Sequence, residues 1–282
     1  MFNHENLKGR VAVITGGAGV LCSNFAELLA TQGCKIAILD LNENEGKKLE
    51  KSINASGGQA KFIKCNVLEK TSVINARNIV YETFGECDIL INGAGGNNIK
   101  GTTDCEKLTL DDIKNSNNSK TFFDLDSNDV SFVFNLNYLG TLIPTQVFSR
   151  DMVGRDNCTI VNITSMNAFR PLTKIPAYSS AKAAVKNLTE WLCVHFSQVG
   201  IRVNAIAPGF FSTNQNKSLL FDEYGLPTKR TQRILNATPM NRFGKSEELN
   251  GALLFLLDEK YSSFITGTTL IVDGGFNIYS GV

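Results

Sequence analysis

Short, almost wholly apolar runs alternate along this chain with segments whose apolar positions recur every three or four residues. RVAVIT (10–15), KIAILD (35–40), AKFIKC (60–65), DILIN (88–92), TIVNIT (159–164), IRVNAIA (201–207) and TTLIVD (268–273) read as strands. Several are continuously apolar rather than alternating, as expected of strands covered on both faces. Helical spacing marks 20–32, 43–55, 69–84, 127–153, 177–198 and 246–258. In the first of these Leu21, Phe25, Leu28 and Leu29 share a face, and Gly33 stands where a helix end is capped. Strand–helix alternation from end to end predicts an α/β fold, a doubly wound parallel sheet of about seven strands with helices on both faces. No linker-like boundary or internal repeat interrupts it, so residues 1–282 are expected to form a single domain.

Two segments, near 93–126 and 208–245, hold little strong periodicity. Connections that long are usually functional or disordered. After strand ends of a doubly wound sheet they lie at the edge where ligands bind, so both are expected to be active-site loops.

Composition narrows the classes. With 28 Lys and Arg against 27 Asp and Glu, the net charge of +1 gives no support for a nucleic-acid partner. The apolar patch ALLFLLD (252–258) is too short to span a bilayer, and MFNHENLKGR has no apolar core of a secretory signal. The seven cysteines (22, 34, 65, 87, 105, 158, 193) form no C-x-x-C pair, so reduced, mostly buried thiols in a cytoplasmic protein are expected. His4 and His195 are too few and too far apart for a metal centre, and none is expected; His195, beside apolar residues on a predicted helix, reads as packing.

TGGAGVLC (15–22) joins the first predicted strand to the first predicted helix. Read as G-x-G-x-x-G, its register is Gly17, Gly19 and Cys22. The two glycines allow a tight turn and close backbone approach to a pyrophosphate; cysteine is small enough for the helix–strand contact of the third position. The start of the helix then offers free N–H groups and positive potential to phosphates. A glycine-rich turn alone is a weak signal. Asp40 strengthens it: it ends the second strand, where a carboxylate accepts from a ribose 2′-OH and repels a 2′-phosphate, with no cation at Leu41 or Asn42 to compensate. That favours NAD over NADP; a local capping role for Asp40 is the alternative.

Tyr178 and Lys182, in AYSSAK, are four apart and share a helix face. Y-x-x-x-K is common by chance, but Ser165 stands at a strand end thirteen residues before Tyr178, and Asn137 lies on an earlier long helix. A tyrosine, with an unperturbed pKa near ~10, needs help to exchange a proton near neutrality, and Lys182 can stabilise its phenolate. Ser165 would hold the substrate oxygen while Tyr178 acts on it as general acid or base.

Carried by TGGAG, ILD, ILINGAGG (89–96), NLNYLG, NITS, YSSAK, NAIAPGFFST (204–213) and VDGG (272–275), a resemblance to the short-chain dehydrogenase/reductase family runs from about residue 7 to the end. It implies a Rossmann-like fold, NAD(H) as cofactor, and a catalytic set on Asn137, Ser165, Tyr178 and Lys182. It implies cofactor contacts from Gly16, Gly17, Gly19, Val20, Leu21 and Asp40, from Asn66 and Val67, and from Asn92, Ala94 and Gly95. Tyr178, Lys182, Pro208, Gly209 and Thr213 complete them, with Lys182 also holding the nicotinamide ribose and Asn137 steadying a proton-relay water. A homotetramer is implied too, with the 127–153 and 177–198 helices as candidate interfaces. The sequence differs from the family pattern at Val20 and Cys22, where glycines are usual, and at Asn66-Val67, where an aspartate is usual; Asn66 can still hydrogen-bond an adenine edge.

Between the serine and tyrosine, SMNAFRPLTKIPAY places Asn167, Arg170 and Lys174 where substrate contacts, beside those of Ser165 and Tyr178, are expected. Two cations suit an anionic substrate, and Arg170 can grip a carboxylate bidentately, though exposed loop charges would look the same. Asn97, Asn98, Lys100 and Thr102 offer further hydrogen bonds to sugar hydroxyls. These stretches, with PGFFSTNQNKSLLFDEYG and DGGFNIYSGV, resemble one branch of the family, the fructuronate reductases or D-mannonate oxidoreductases of the short type. That implies a sugar-acid substrate in hexuronate breakdown. An NAD-dependent polyol or neutral sugar dehydrogenase is the enzymatic alternative; a nucleotide-binding sensor or scaffold without turnover is the alternative of another class.

Overall fold

The computed structural model describes residues 4–114, 119–212, 220 and 226–281. Its strands are β1 (Val11–Thr15), β2 (Lys35–Asp40), β3 (Gln59–Lys64), β4 (Ile89–Asn92), β5 (Cys158–Ile163), β6 (Ile201–Pro208) and β7 (Thr269–Val272). They form one parallel sheet in the order β3-β2-β1-β4-β5-β6-β7. The α-helices among the described residues are α1 (Val20–Thr31), α2 (Glu43–Ala55), α3 (Lys70–Phe84), α4 (Leu110–Lys114), α5 (Ser127–Met152), α6 (Pro176–His195), α7 (Lys229–Asn236), α8 (Asn250–Leu257) and α9 (Glu259–Ser262). The doubly wound α/β fold expected from the alternation is therefore present.

The continuously apolar strands have a direct explanation. In β1, Ala12 and Ile14 enter one core with Phe25 and Leu29 of α1 and Leu253 and Leu256 of α8. Val11 and Val13 enter a second core with Val73 and Val80 of α3, Phe148 of α5 and Leu188 of α6. Successive residues point to opposite faces, and both faces are covered.

Local chemistry sets the helix ends. Gly33, at φ +81°, follows α1 in the left-handed region. There Gly33 N–H bonds the Ala30 carbonyl (3.0 Å) and Cys34 N–H the Leu29 carbonyl (3.0 Å), a double-bonded C-terminal cap. The helix expected to run to 198 stops at His195, and the one expected over 246–258 begins as a 3-10 turn, Ser246–Leu249, before α8. Glu248 anchors that start: its carboxylate turns back to accept from Lys245 N–H (2.9 Å) and from Arg242. His195 packs as expected, but on the exposed face, its ring stacked on Trp191 at 4.5 Å.

The two long loops carry short elements that their weak periodicity concealed. Asp112 accepts from Thr109 N–H (2.8 Å) at the start of α4, and Thr228 accepts from Thr231 N–H (3.3 Å) to cap α7. An ion pair joins the loops, Arg233 Nη1 to Glu106 Oε1 at 2.6 Å. Among the described residues no helix is long and apolar enough to cross a membrane.

Candidate active site

The chain leaves β1 for β2 and β3 on one side, then returns to pair β4 on the other, so the loops after β1 and β4 part at the sheet's C-terminal edge. Such a switch point opens a crevice for a ligand. Thr15 fastens its floor: its hydroxyl accepts from the N–H of Gly93 (3.2 Å) and of Ala94 (3.3 Å). Above it lies a cavity of about 460 Å³, lined by Gly16, Gly19, Val20, Leu21 and Cys22, by Asp40, Asn66 and Val67, and by Ala94 and Gly95.

The turn does not use the register read from G-x-G-x-x-G. Gly16 is the residue at positive φ (+62°), and a Cβ there would lie 2.8 Å from the backbone of Ala94, so only glycine fits. Gly17 is outside the cavity lining; its N–H bonds the Leu39 carbonyl (3.1 Å) and its Cα faces Ile14 and Ile38 of the sheet. Gly19 is the N-cap of α1, with no side chain capping the helix and no acidic residue in its first turn. The amides of Val20, Leu21 and Cys22 begin that helix, so valine at 20 leaves the backbone cradle in place. Cys22 does take the third position's role. Its sulfur fills the space beside Gly93, and burial pushes the thiol up to about 12, so it stays protonated and serves as packing.

Asp40 lines the cavity as expected, and it also braces the turn. Oδ2 accepts from Ala18 N–H (3.0 Å) and Oδ1 from Asn42 N–H (2.9 Å); Asn42, not Asp40, caps α2. Each oxygen keeps a lone pair. Asn66 is committed locally, accepting from Leu68 N–H (3.1 Å) and donating to Glu69 (2.7 Å), which limits the adenine contact expected of it. The Asn92 side chain is buried in the sheet, donating to Thr145 Oγ1 (2.9 Å) and Asn162 Oδ1 (2.8 Å). Pro208 ends β6, and Gly209 is pressed against Asp273, where a Cβ would meet Cα at 2.6 Å. Thr213 lies outside the described residues.

The four residues of the expected catalytic set converge beside Gly95. A Cβ on Gly95 would lie 2.5 Å from Asn137 Oδ1 and 3.2 Å from Lys182 Nζ. Asn137 grips the Gly96 backbone from both sides, accepting from its N–H (3.1 Å) and donating to its carbonyl (2.8 Å). Ser165 is buried just past the end of β5, its hydroxyl accepting from Asn167 N–H (3.2 Å) and close enough to Tyr178 to act on its phenol. Lys182 Nζ stands 5.7 Å from the centre of the Tyr178 ring and donates to the Ile163 carbonyl (2.8 Å).

Burial pushes the Tyr178 phenol above its ordinary value, and the nearby Ser165 hydroxyl opposes that rise. The i, i+4 spacing does put the lysine on the tyrosine's face, but its ammonium is drawn to the strand-end carbonyl. Burial lowers the Lys182 pKa to about 8. At pH 7 it still carries its charge.

The expected substrate residues are only partly gathered. Asn167 is buried next to Ser165, and its Oδ1 has no hydrogen-bond partner among the described residues. Such an orphan acceptor costs stability unless a ligand supplies a donor. Arg170 donates to the Tyr279 carbonyl (2.6 Å), so part of the guanidinium expected to bind a carboxylate holds the C-terminal segment instead. Lys174 adopts φ +71°, and its carbonyl accepts from Thr103 N–H (2.8 Å), pinning the 93–126 loop; among the described residues its ammonium has no ion-pair partner. Asn97, Asn98, Lys100 and Thr102 fold on one another, through Asn97 Nδ2 to Thr102 (3.2 Å) and Lys100 N–H to Asn98 (2.9 Å).

A dinucleotide fits these residues: an uncapped helix start faces the cavity and can receive the pyrophosphate, and Asp40 offers acceptors to a ribose. Fold and site together define a dinucleotide-dependent oxidoreductase.

Comparison with known proteins gives the family. The sequence model of the short chain dehydrogenases matches residues 10–223. An uncharacterized oxidoreductase of Haemophilus influenzae is 59% identical over 280 residues, 99% of this chain and 97% of the relative. The 5-keto-D-gluconate 5-reductase of Escherichia coli K12 is 31% identical over 270 residues, 96% of each. Among solved structures, a candidate D-mannonate oxidoreductase from Haemophilus influenza with bound NAD superposes with a TM-score of 0.94, at 58% identity and 98% of each chain. The protein belongs to the short chain dehydrogenase family, and it is an oxidoreductase of that family.

Proposed function

We propose that the protein is an NAD(H)-dependent oxidoreductase that interconverts D-fructuronate and D-mannonate, a ketone and its secondary alcohol. The observation that carries the chemistry is the placing of the Lys182 ammonium 5.7 Å from the centre of the Tyr178 ring, with the buried Ser165 hydroxyl close enough to act on the same phenol. Ser165 Oγ already accepts from Asn167 N–H, so its own proton is left to be donated, and a substrate carbonyl oxygen is a matching acceptor. Tyr178 gives that oxygen a proton in the reducing direction and takes it back in the oxidising one. When bound, the nicotinamide supplies or accepts the hydride, which no side chain can do. Making the phenolate accessible near neutrality means lowering a pKa of ~10 by roughly three units, about 4 kcal/mol. A charged Lys182 in a desolvated site is the available source, once its ammonium leaves the Ile163 carbonyl for the phenolate.

Asp40 supports NAD(H) as the cofactor, because a 2′-phosphate would meet its carboxylate at close range. The sugar acid is supported by two cations, Arg170 and Lys174, in the segment between Ser165 and Tyr178, by the Asn167 acceptor left without a partner among the described residues, and by relatives whose names concern sugar acids. A second reading, an NAD-dependent polyol or neutral sugar dehydrogenase, draws on the engagement of Arg170 with Tyr279. The test is a paired assay with NADH of D-fructuronate and D-fructose, with chromatographic identification of the products. D-Mannonate formation with little turnover of the ketose supports the first reading; the reverse preference selects the second.

The reading extends to assembly as a homotetramer through α5 and α6, supported by Trp191 and Val194 standing exposed on α6. Light scattering of the purified protein tests it.

A further inference from the structure

Residues 162–164 lie at the end of β5, and each makes a hydrogen bond to α6. Asn162 Nδ2 donates to Thr189 Oγ1 (2.9 Å), and the Ile163 carbonyl accepts from Lys182 Nζ (2.8 Å). Thr164 Oγ1 donates to the Lys182 carbonyl (2.9 Å). Consecutive residues of one strand end therefore hold Lys182 at both extremities, backbone and ammonium.

The apolar contacts of α6 with the sheet, through residues such as Val185, Leu188 and Leu192, are non-directional and allow small slides along the helix axis. Hydrogen bonds are directional and weaken steeply when misaligned. Thr164 is itself fixed, being buried with its N–H on the Ile206 carbonyl (2.9 Å). Its hydroxyl reaches a mid-helix carbonyl, where backbone partners are the rule. The extra bond therefore sets where the helix sits rather than closing a helical turn.

We infer that Thr164 is a positioning residue, which fixes the height of Lys182 along β5 and so keeps its ammonium confined beside Tyr178. The inference rests on the proposed role of Lys182 in supporting the Tyr178 phenolate. Confinement has a physical signature: the buried ammonium titrates near pH 8, well below a free lysine. A lysine released from the clamp reaches water more readily, and its titration moves back up.

The test compares Thr164→Val, which keeps shape and loses the hydroxyl, with Thr164→Ser, which keeps the hydroxyl. In the protein without cofactor, the Lys182 side-chain signal is followed by 15N-lysine NMR, assigned with Lys182→Arg. In the proposed reaction, kcat and its pH profile are measured. Thr164→Val is expected to raise the Lys182 titration midpoint by about one unit and lower kcat about tenfold, and Thr164→Ser to stay within twofold of the parent. Should the valine variant fail to fold, Thr164→Ala carries the same test. An unchanged titration and pH profile in folded Thr164→Val would overturn the inference. Absence of Tyr178-dependent turnover in the parent would instead overturn the functional reading on which it rests.

Discussion

The sulfur of Cys22 occupies the space that a side chain at position 93 would need: a Cβ on Gly93 would lie 2.1 Å from it. The cysteine that replaces a glycine at the start of α1 is thus matched by a glycine at the end of β4. Gly93→Ala forces these elements apart at the cavity floor, at about 1–3 kcal/mol, the usual range for overpacking. Thermal unfolding should show a lower Tm for Gly93→Ala. The double variant Cys22→Gly/Gly93→Ala should recover only part of the loss, since the Thr15 carbonyl still lies 2.9 Å from the new Cβ. A single variant as stable as the parent would count against this pairing.

Asp40 links cofactor choice to loop order, because the carboxylate that faces the cavity also holds Ala18 N–H at 3.0 Å. Hydrogen bonds to charged groups contribute about 1.5–3 kcal/mol. Asp40→Ser should therefore raise the KM for NADH about tenfold or more. Adding Leu41→Arg supplies a cation for a 2′-phosphate, and the double variant should favour NADPH. Steady-state kinetics with both nucleotides decide it; unchanged NADH preference would remove Asp40 from the cofactor site.

Lys182 predicts a pH dependence of stability in the cofactor-free protein. Its folded pKa is lowered from 10.5 to about 8, so between these values the unfolded chain binds more protons than the folded one. Stability therefore rises with pH across that window, by about 3 kcal/mol if the whole shift is expressed, and the contribution is flat below pH 8. Urea unfolding of the parent and of Lys182→Met, at pH 7 and pH 10, isolates the effect. The parent should gain on the variant as pH rises; parallel curves would show that the ammonium is not desolvated.

Arg170 is expected to divide its guanidinium between the Tyr279 carbonyl and a substrate carboxylate. Arg170→Ala should raise the KM for a sugar acid at least tenfold, by the loss of a charge-assisted bond, and change that for a neutral ketose by less than threefold. Equal losses for both would assign the residue to holding the C-terminal segment alone.

Much of this architecture was legible from residue pattern. The seven strands lie within one residue of the apolar runs at each end, since a strand covered on both faces must be apolar throughout. The same coverage hid the direction of Asn92: ILIN shows no alternation, so nothing in it reveals that the amide points into the sheet. Gly16 and Gly17 differ in φ, which the letters do not carry. Ser165, Tyr178 and Lys182 were readable because a strand end and one helical turn fix their separation. The Arg170–Tyr279 and Arg233–Glu106 contacts join residues more than a hundred apart in loops, where no periodicity reports on tertiary neighbours.

The most direct test of the central claim, that Tyr178 exchanges the proton while NADH gives the hydride to a uronate ketone, is NADH oxidation at 340 nm with D-fructuronate, comparing the parent with Tyr178→Phe. The account predicts turnover by the parent, a strong preference for NADH over NADPH, and a loss of at least a hundredfold in the phenylalanine variant, the lower end of what general acid catalysis contributes. Equal turnover of uronate by parent and variant would contradict it.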